Sequence, residues 1–152
     1  MNTEISGNVS GILAQKKAST VWSIGPNAMV FDAIRLMDEK NVGALPVVDN
    51  RTLVGIVSER DYTRKVILQG KSSKETAVSE IMTKQLLTVN PGDSIPECMQ
   101  IMTEKRVRHL PVLEGGNLVG ILSIGDVVKW LISAQTSTIE NLERYITGDY
   151  PA

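Results

Sequence analysis

A segment of roughly 40 residues occurs twice in this chain, in register and without a gap, and that repetition limits the fold more than any other feature. Pro26 matches Pro91, 65 positions on, and the same offset holds for every later landmark. Met37 pairs with Met102, Glu39-Lys40 with Glu104-Lys105, and Val42 with Val107. Leu45-Pro46-Val47 pairs with Leu110-Pro111-Val112, Leu53-Val54-Gly55-Ile56 with Leu118-Val119-Gly120-Ile121, Ser58 with Ser123, and Asp61 with Asp126. Two unrelated βαβ pieces can share an apolar pattern. Pro, Gly, Ser and Asp at one fixed offset require a duplicated unit, and a duplicated unit implies a pseudo-twofold axis with equivalent crevices.

Length and charge then remove several classes of function. At 152 residues the chain makes one compact domain, or two small units sharing a core, because a repeat of about 60 residues buries too little apolar surface to stand alone. Lys and Arg number 16 against 17 Asp and Glu, so no global field draws in nucleic acid or an anionic membrane, and neither is expected as a partner. Cys98 is the only cysteine, which rules out an intrachain disulfide and a cysteine-based zinc cluster; no metal is expected. The start, Met1-Asn2-Thr3-Glu4-Ile5-Ser6, has neither a basic nor an apolar targeting region, and no apolar run approaches about 18 residues. A cytoplasmic location is expected.

Each repeat reads β-α-β-β-α, an α/β (α+β) pattern. Val21 to Ile24 is a short strand ended by Gly25-Pro26-Asn27. Val30, Ala33, Ile34 and Met37 recur at helical spacing, and Gly43 is the expected helix stop. Ala44 to Val48 and Leu53 to Val57 flank Asp49-Asn50-Arg51-Thr52 as a hairpin, and Ser58 opens a helix running to about Leu68. The second copy gives a strand at Leu86 to Val89, a helix from Ile95 to Lys105, a hairpin around Glu114-Gly115-Gly116-Asn117 and a helix from near Gly125. Short lead-in helices are expected at Val9 to Gln15 and Val78 to Met82. The residues divide as repeat one with its lead-in at 8–70, a linker at 71–77, repeat two at 78–134, and at 135–152 an amphipathic tail with Ile139, Leu142 and Ile146 on one face.

Both repeats end in Gly-hydrophobic-hydrophobic-Ser-x-x-Asp: Gly55 to Asp61 and Gly120 to Asp126. One such motif is an ordinary helix cap, since Ser suits the N-cap and Asp the positive end of a helix. Two in matching frames point further. A carboxylate at a helix start can accept hydrogen bonds from both hydroxyls of a ribose, and the same helix end favours a phosphate.

The tandem β-α-β-β-α repeats, the hydrophobic-Pro-Val strands and the Gly-h-h-Ser-x-x-Asp endings resemble a pair of CBS domains, the Bateman module, over residues 8–134. The lead-in Ile12-Leu13…Lys17…Val21-Trp22-Ser23-Ile24 and the stretches Ser58-Glu59-Arg60-Asp61-Tyr62 and Lys71-Ser72-Ser73-Lys74 resemble small free-standing bacterial members. The resemblance implies two pseudo-twofold-related repeats packed sheet to sheet. It also implies an adenine nucleotide ligand in two inter-repeat clefts: AMP or ATP first, with NAD and S-adenosylmethionine as alternatives. Carried over by position, cleft one takes Ile121, Ser123 and Asp126 with Lys17, Val21, Trp22, Val42, Gly43 and Ala44, within reach of Lys16 as well. Cleft two takes Ile56, Ser58, Arg60 and Asp61 with Leu86, Leu87, Val107, Arg108 and His109. Arg60, Arg108 and His109 make cleft two the basic one, suited to phosphate, with His109 near its ordinary pKa of about 6.5. Against this, Arg108 and His109 also suit a solvated helix-to-strand corner, Trp22 a core aromatic bordering a ligand, and Met29, Met37, Met82, Met99 and Met102 core filling.

The function this implies is a non-catalytic sensor with an unidentified regulated protein acting in trans. An enzyme is disfavoured by one His, one Cys and no paired nucleophile and base. A ligand-independent scaffold or nucleic-acid adaptor is the third class. A homodimer is expected, because Val66, Ile67, Val127, Trp130 and Leu131 on the helices after each Ser-x-x-Asp ask for a cover.

Overall fold

The computed structural model of the chain describes residues 6–16 and 21–134. Lys17 and the expected amphipathic tail lie outside them. Helix α1 (Val9–Gln15) starts at Asn8, whose side chain accepts a hydrogen bond from the Gly11 N–H. Helix α2 (Val30–Lys40) is followed by an antiparallel pair, β1 (Ala44–Asp49) and β2 (Thr52–Ser58). Helix α3 (Glu59–Tyr62) continues as a π-helical turn, Thr63–Ile67, and α4 (Val78–Ile81) is the lead-in helix of the second repeat. Helix α5 (Ile95–Lys105), strands β3 (His109–Glu114) and β4 (Asn117–Ser123), and a helix over residues 124–134, α6, repeat the order. The architecture is mixed α/β, with two antiparallel two-stranded sheets and helices.

Local chemistry explains most of these boundaries. Both hairpin turns need positive φ at two successive residues. Gly115 and Gly116 take it at 58° and 82°, while Asn50 and Arg51 do so at 47° and 65°. Helix α2 ends at Asn41, which is left-handed (φ 54°) and returns its N–H to Asp38 and Met37. Gly43, the expected stop, lies beyond. Arg106 ends α5 with the same φ, so the junction and not a glycine sets the conformation. The N–H groups of Val42 and Val107 then reach back to Met37 and Met102, which satisfies helix-end carbonyls in both copies.

The strands expected at Val21–Ile24 and Leu86–Val89 shrink to one parallel bridge each, Ile24 with Val47 and Val89 with Val112. The Ile24 N–H donates to the Pro46 carbonyl and the Val48 N–H to the Ile24 carbonyl, with Val89, Pro111 and Leu113 repeating the pattern. Extending either ladder towards the N-terminus would need an N–H from Pro46 or Pro111. Extending it forwards would need one from Pro26 or Pro91. Proline has none, so four landmarks of the repeat hold each pairing to a single step.

The described residues form two compact units, one from 21–90 and 111–121, the other from 6–16, 91–110 and 122–134. In the first, Val30, Ala33 and Met37 of α2 bury against Leu45, Val47, Val57, Val66, Val78 and Ile81. In the second, Val9, Ile12, Ile95, Cys98, Met102, Leu110, Leu122 and Val127 are buried. Ile95, Cys98 and Met102 stand at the repeat positions of Val30, Ala33 and Met37. Cys98 is thus a core residue, and burial, followed by Asp93 and Glu97, pushes its thiol up to about 11.

Several apolar residues expected to await a partner are covered by the chain itself. Val66 is 0% and Val127 2% exposed, Leu131 is half-buried, and the Trp130 ring lies over Gly7 and Gly11. Ile67 remains open at 54%, beside Leu68 at 74%. Trp22 is not a core aromatic: it is 38% exposed, with the Lys40 ammonium 4.1 Å from its ring centroid.

Gly55 is required by close approach. A Cβ there would lie 2.7 Å from Met82 Sδ and 3.0 Å from the Thr83 carbonyl oxygen, where Ile56 and Thr83 exchange two backbone hydrogen bonds. Gly55→Ala is therefore expected to destabilise the fold by about 1–3 kcal/mol, as overpacked sites do, although the backbone there is extended. Urea unfolding of the variant against wild type checks this; a change within about 0.5 kcal/mol would show that Met82 yields freely.

Candidate functional site

At the first strand-to-helix junction, Ser58 is the N-cap of α3. The Asp61 N–H donates to Ser58 Oγ at 3.2 Å, and Asp61 Oδ2 accepts from the Ser58 N–H at 2.9 Å and from Ser58 Oγ at 3.1 Å. This is a closed capping box. The Glu59 N–H donates to the Gly43 carbonyl, tying the helix start to the entry of β1, where Ala44 pairs with Ser58. One helical turn on, Lys65 Nζ lies 3.1 Å from Asp61 Oδ1 and donates to the Ile81 carbonyl at 2.8 Å.

The second junction repeats the box. The Ser123 N–H donates to Asp126 Oδ2 at 2.8 Å, the Asp126 N–H to Ser123 Oγ at 3.1 Å, and the Ile124 N–H to the Arg108 carbonyl at 2.8 Å. The cation differs. The position matching Lys65 holds Trp130, whose Nε1 donates to the Ser6 carbonyl and whose ring fills the space a Cβ would need at Gly7, 2.6 Å away. The counter-charge to Asp126 comes instead from Lys16, just past α1, with Nζ 2.9 Å from Oδ2.

Electrostatics follow from this geometry. Burial raises the Asp126 carboxyl, but hydrogen bonds from Lys16 and from the Ser123 backbone outweigh it and hold the group below the usual carboxylate range. His109 is pushed below its ordinary value mainly by burial; Asp126 pulls it up, while Lys16 and Arg108 push it down. Burial thus favours the neutral imidazole more than the ordinary value expected from the sequence does. Arg108 and His109, carried over by position to the cleft of Asp61, stand at the strand entry whose Arg108 carbonyl accepts the Ile124 N–H.

The other candidates sort by unit. Val21, Trp22, Val42, Gly43, Ala44, Ile56, Ser58, Arg60, Asp61, Leu86, Leu87 and Ile121 belong to one; Val107, Arg108, His109, Ser123 and Asp126 to the other. Ala44 is buried, Arg60 and Arg108 are exposed, and Val21, Val42, Gly43, Ile56, Leu86, Leu87, Val107 and Ile121 are half-buried. Sequence reasoning missed Lys65 and Lys40. The i,i+4 spacing from Asp61 was a readable signal for Lys65, since such pairs meet on a helix face. Lys40 over Trp22 had no comparable signal. Among the described residues no three His, Cys, Asp or Glu side chains gather to hold a metal, and no helix is long and apolar enough to cross a membrane.

A depressed histidine has a definite sign in stability. Between the folded value of His109 and about 6.5 the unfolded chain binds more protons, so stability rises with pH through that window and is lost as pH falls below it. His109→Gln is expected to flatten the pH dependence of unfolding below about pH 6.5. Denaturant titrations at several pH values measure this, and parallel slopes in variant and wild type would disprove it.

Comparison with known proteins identifies the family. The family model described as "CBS domain" matches twice, at residues 18–67 and 78–133. The chain is 44% identical over 126 residues to the CBS domain-containing protein CBSX3, mitochondrial, of Arabidopsis thaliana, covering 80% of this chain and 61% of that relative's length. A solved CBS-domain protein of Burkholderia ambifaria superposes with a TM-score of 0.82 at 53% identity, covering 85% of this chain and 96% of that one. CBSX2 in complex with AMP superposes with a TM-score of 0.70 at 28% identity, covering 86% and 99%. With both repeats matched and their Ser-x-x-Asp boxes built alike, the chain belongs to the CBS-domain family as a tandem pair.

Proposed function

We propose that the chain is a non-catalytic sensor of adenosine-type nucleotides, with AMP or ATP as first candidates and NAD or S-adenosylmethionine as alternatives. Occupancy would change the geometry of the repeats and be passed on to another chain. The observation that carries this reading is the pair of matched Ser-x-x-Asp boxes. Each presents a carboxylate with its own lysine at the start of a helix, where a ribose and a phosphate can be recognised together. The AMP complex of CBSX2 supports it from the side of the relatives.

The proposed sites are centred on Asp61, with Ser58, Gly43 and Ala44 beside it, and on Asp126, with Ser123, Arg108 and His109. The reading invokes no metal. A homodimer is part of it, supported by a stripe on α6 at i, i+4 and i+8, where Ile124, Val128 and Ile132 are 47%, 47% and 58% exposed. A cytoplasmic, reducing location is included too, supported by Cys98 as a buried free thiol.

The competing reading leaves both aspartates as helix caps within a scaffold, and the closed boxes favour it. One substitution separates the two. Asn keeps a capping side chain and removes the charge, so a cap-only role predicts a stability loss of about 0.3–1 kcal/mol with binding untouched. Ribose recognition predicts that Asp61→Asn and Asp126→Asn each weaken one binding event at least about tenfold and spare the other. Titration calorimetry with AMP and ATP decides it, and two intact sites in either variant would remove that aspartate from the assignment. In thermal melts, adenine nucleotides should stabilise the wild type by about 2.7 kcal/mol at one hundred times Kd, and guanosine or cytidine nucleotides clearly less.

A further inference from the structure

The stripe on α6 belongs to the second repeat alone. Ile124, Val128 and Ile132 are exposed, whereas the matching positions of repeat one are Glu59, Thr63 and Ile67. Residues 135–152 follow α6 directly, outside the described part of the chain, and their sequence is complementary to the stripe. Gln135-Thr136-Ser137-Thr138 is a polar connection, and Ser137 with Glu140 has the spacing of a capping box. Ile139, Leu142 and Ile146 then recur on one helical face. Two antiparallel helices joined by about two to five residues make a hairpin, so facing residues stand at equal distances from its turn. Counting outward from Gln135, Ile132 and Ile139 come at 3 and 4 residues, Val128 and Leu142 both at 7, and Ile124 and Ile146 both at 11. Each exposed residue of the stripe thus has its own apolar partner in one register.

A second copy of the chain is the rival cover for this face, and attachment decides between the two. A segment tethered by a short connection meets the stripe at an effective concentration in the millimolar range, about a thousand times that of a second copy at micromolar. Charge agrees. The register sets the exposed Lys129 opposite Asn141, within a turn of Glu140 and Glu143. A second α6 would offer it only Asp126, already paired with Lys16. We propose that residues 139–146 lie antiparallel on α6 of their own chain and cover Ile124, Val128 and Ile132, so that a second copy reaches the stripe only by displacing them. The tail thereby sets the concentration at which the chain self-associates. The contact bears on the homodimer of the reading above and does not depend on nucleotide binding.

Cysteine cross-linking of the full chain tests it. Val128→Cys combined with Leu142→Cys, oxidised at low protein concentration, is expected to close an intrachain disulfide. The product runs as a monomer on a non-reducing gel and keeps Cys98 as its only titratable thiol after denaturation. Cys98 does not compete in the folded chain, being buried with its thiol pushed up to about 11. Ile132→Cys with Ile139→Cys repeats the measurement where the first pair fails to fold. A covalent dimer would give the stripe to a second copy, and free thiols in a folded protein would place the tail elsewhere; either overturns the proposal. In sedimentation, Leu142→Glu is expected to raise the dimer association constant about tenfold, because one apolar side chain leaves the stripe. A dimer unchanged or weakened by that variant overturns the competition. The homodimer reading fails separately, if wild type and Leu142→Glu are both monomeric at tens of micromolar while the intrachain disulfide forms.

Discussion

Each repeat turns on a reciprocal hydrogen bond between a serine and an aspartate three residues apart. Ser58 and Ser123 end their strands, and Asp61 and Asp126 lie in the first turns of the helices that follow. Because each serine backbone N–H and each aspartate backbone N–H is satisfied by the other's side chain, strand becomes helix without a loop. The first helical N–H is then free to bind the carbonyl of Gly43 or Arg108, which anchors the preceding strand entry beside the carboxylate. The geometry of the candidate sites therefore comes from the fold itself.

Duplication placed identical boxes in two surroundings, and one position separates them. Where repeat one has Lys65, repeat two has Trp130. Lys65 serves as both counter-ion to Asp61 and tie to the end of α4. In repeat two these jobs are divided: Trp130 makes the tie to the lead-in through Ser6, Gly7 and Gly11, and Lys16 supplies the charge. A large aromatic cannot neutralise a carboxylate, so the lead-in that Trp130 holds in place also delivers the cation. The two halves solve one electrostatic problem by different routes.

Much of this was legible in the residues. Helices α2 and α5 follow from apolar spacing, the hairpins from paired turn residues, and the Ser-x-x-Asp boxes from their frames. The expected strands at Val21–Ile24 and Leu86–Val89 were over-read because apolar character was weighed and missing proline N–H groups were not. Gly43 was over-read as a stop because Asn41 and Arg106 can adopt a left-handed conformation when a bond back to the helix stabilises it. The cations were the least legible part. A lysine's partner 110 residues away depends on how the chain returns, and no local pattern encodes it. Burial likewise took His109 out of its ordinary range, which the neighbouring charges in the sequence did not suggest.

The prolines of the hydrophobic-Pro-Val strands have a consequence for self-association. Among the described residues the outer edge of β1 meets the single bridge from Ile24, and Pro46 is one of the two residues that bond Ile24 there. An incoming strand from another molecule would look for a donor at that position and find a ring nitrogen without hydrogen. Pro111 does the same for the edge that Val89 meets. Sheets of only two strands, with apolar residues along them, would otherwise be templates for cross-chain β-pairing. The residue type that shortens the native ladder also keeps it from growing into an aggregate.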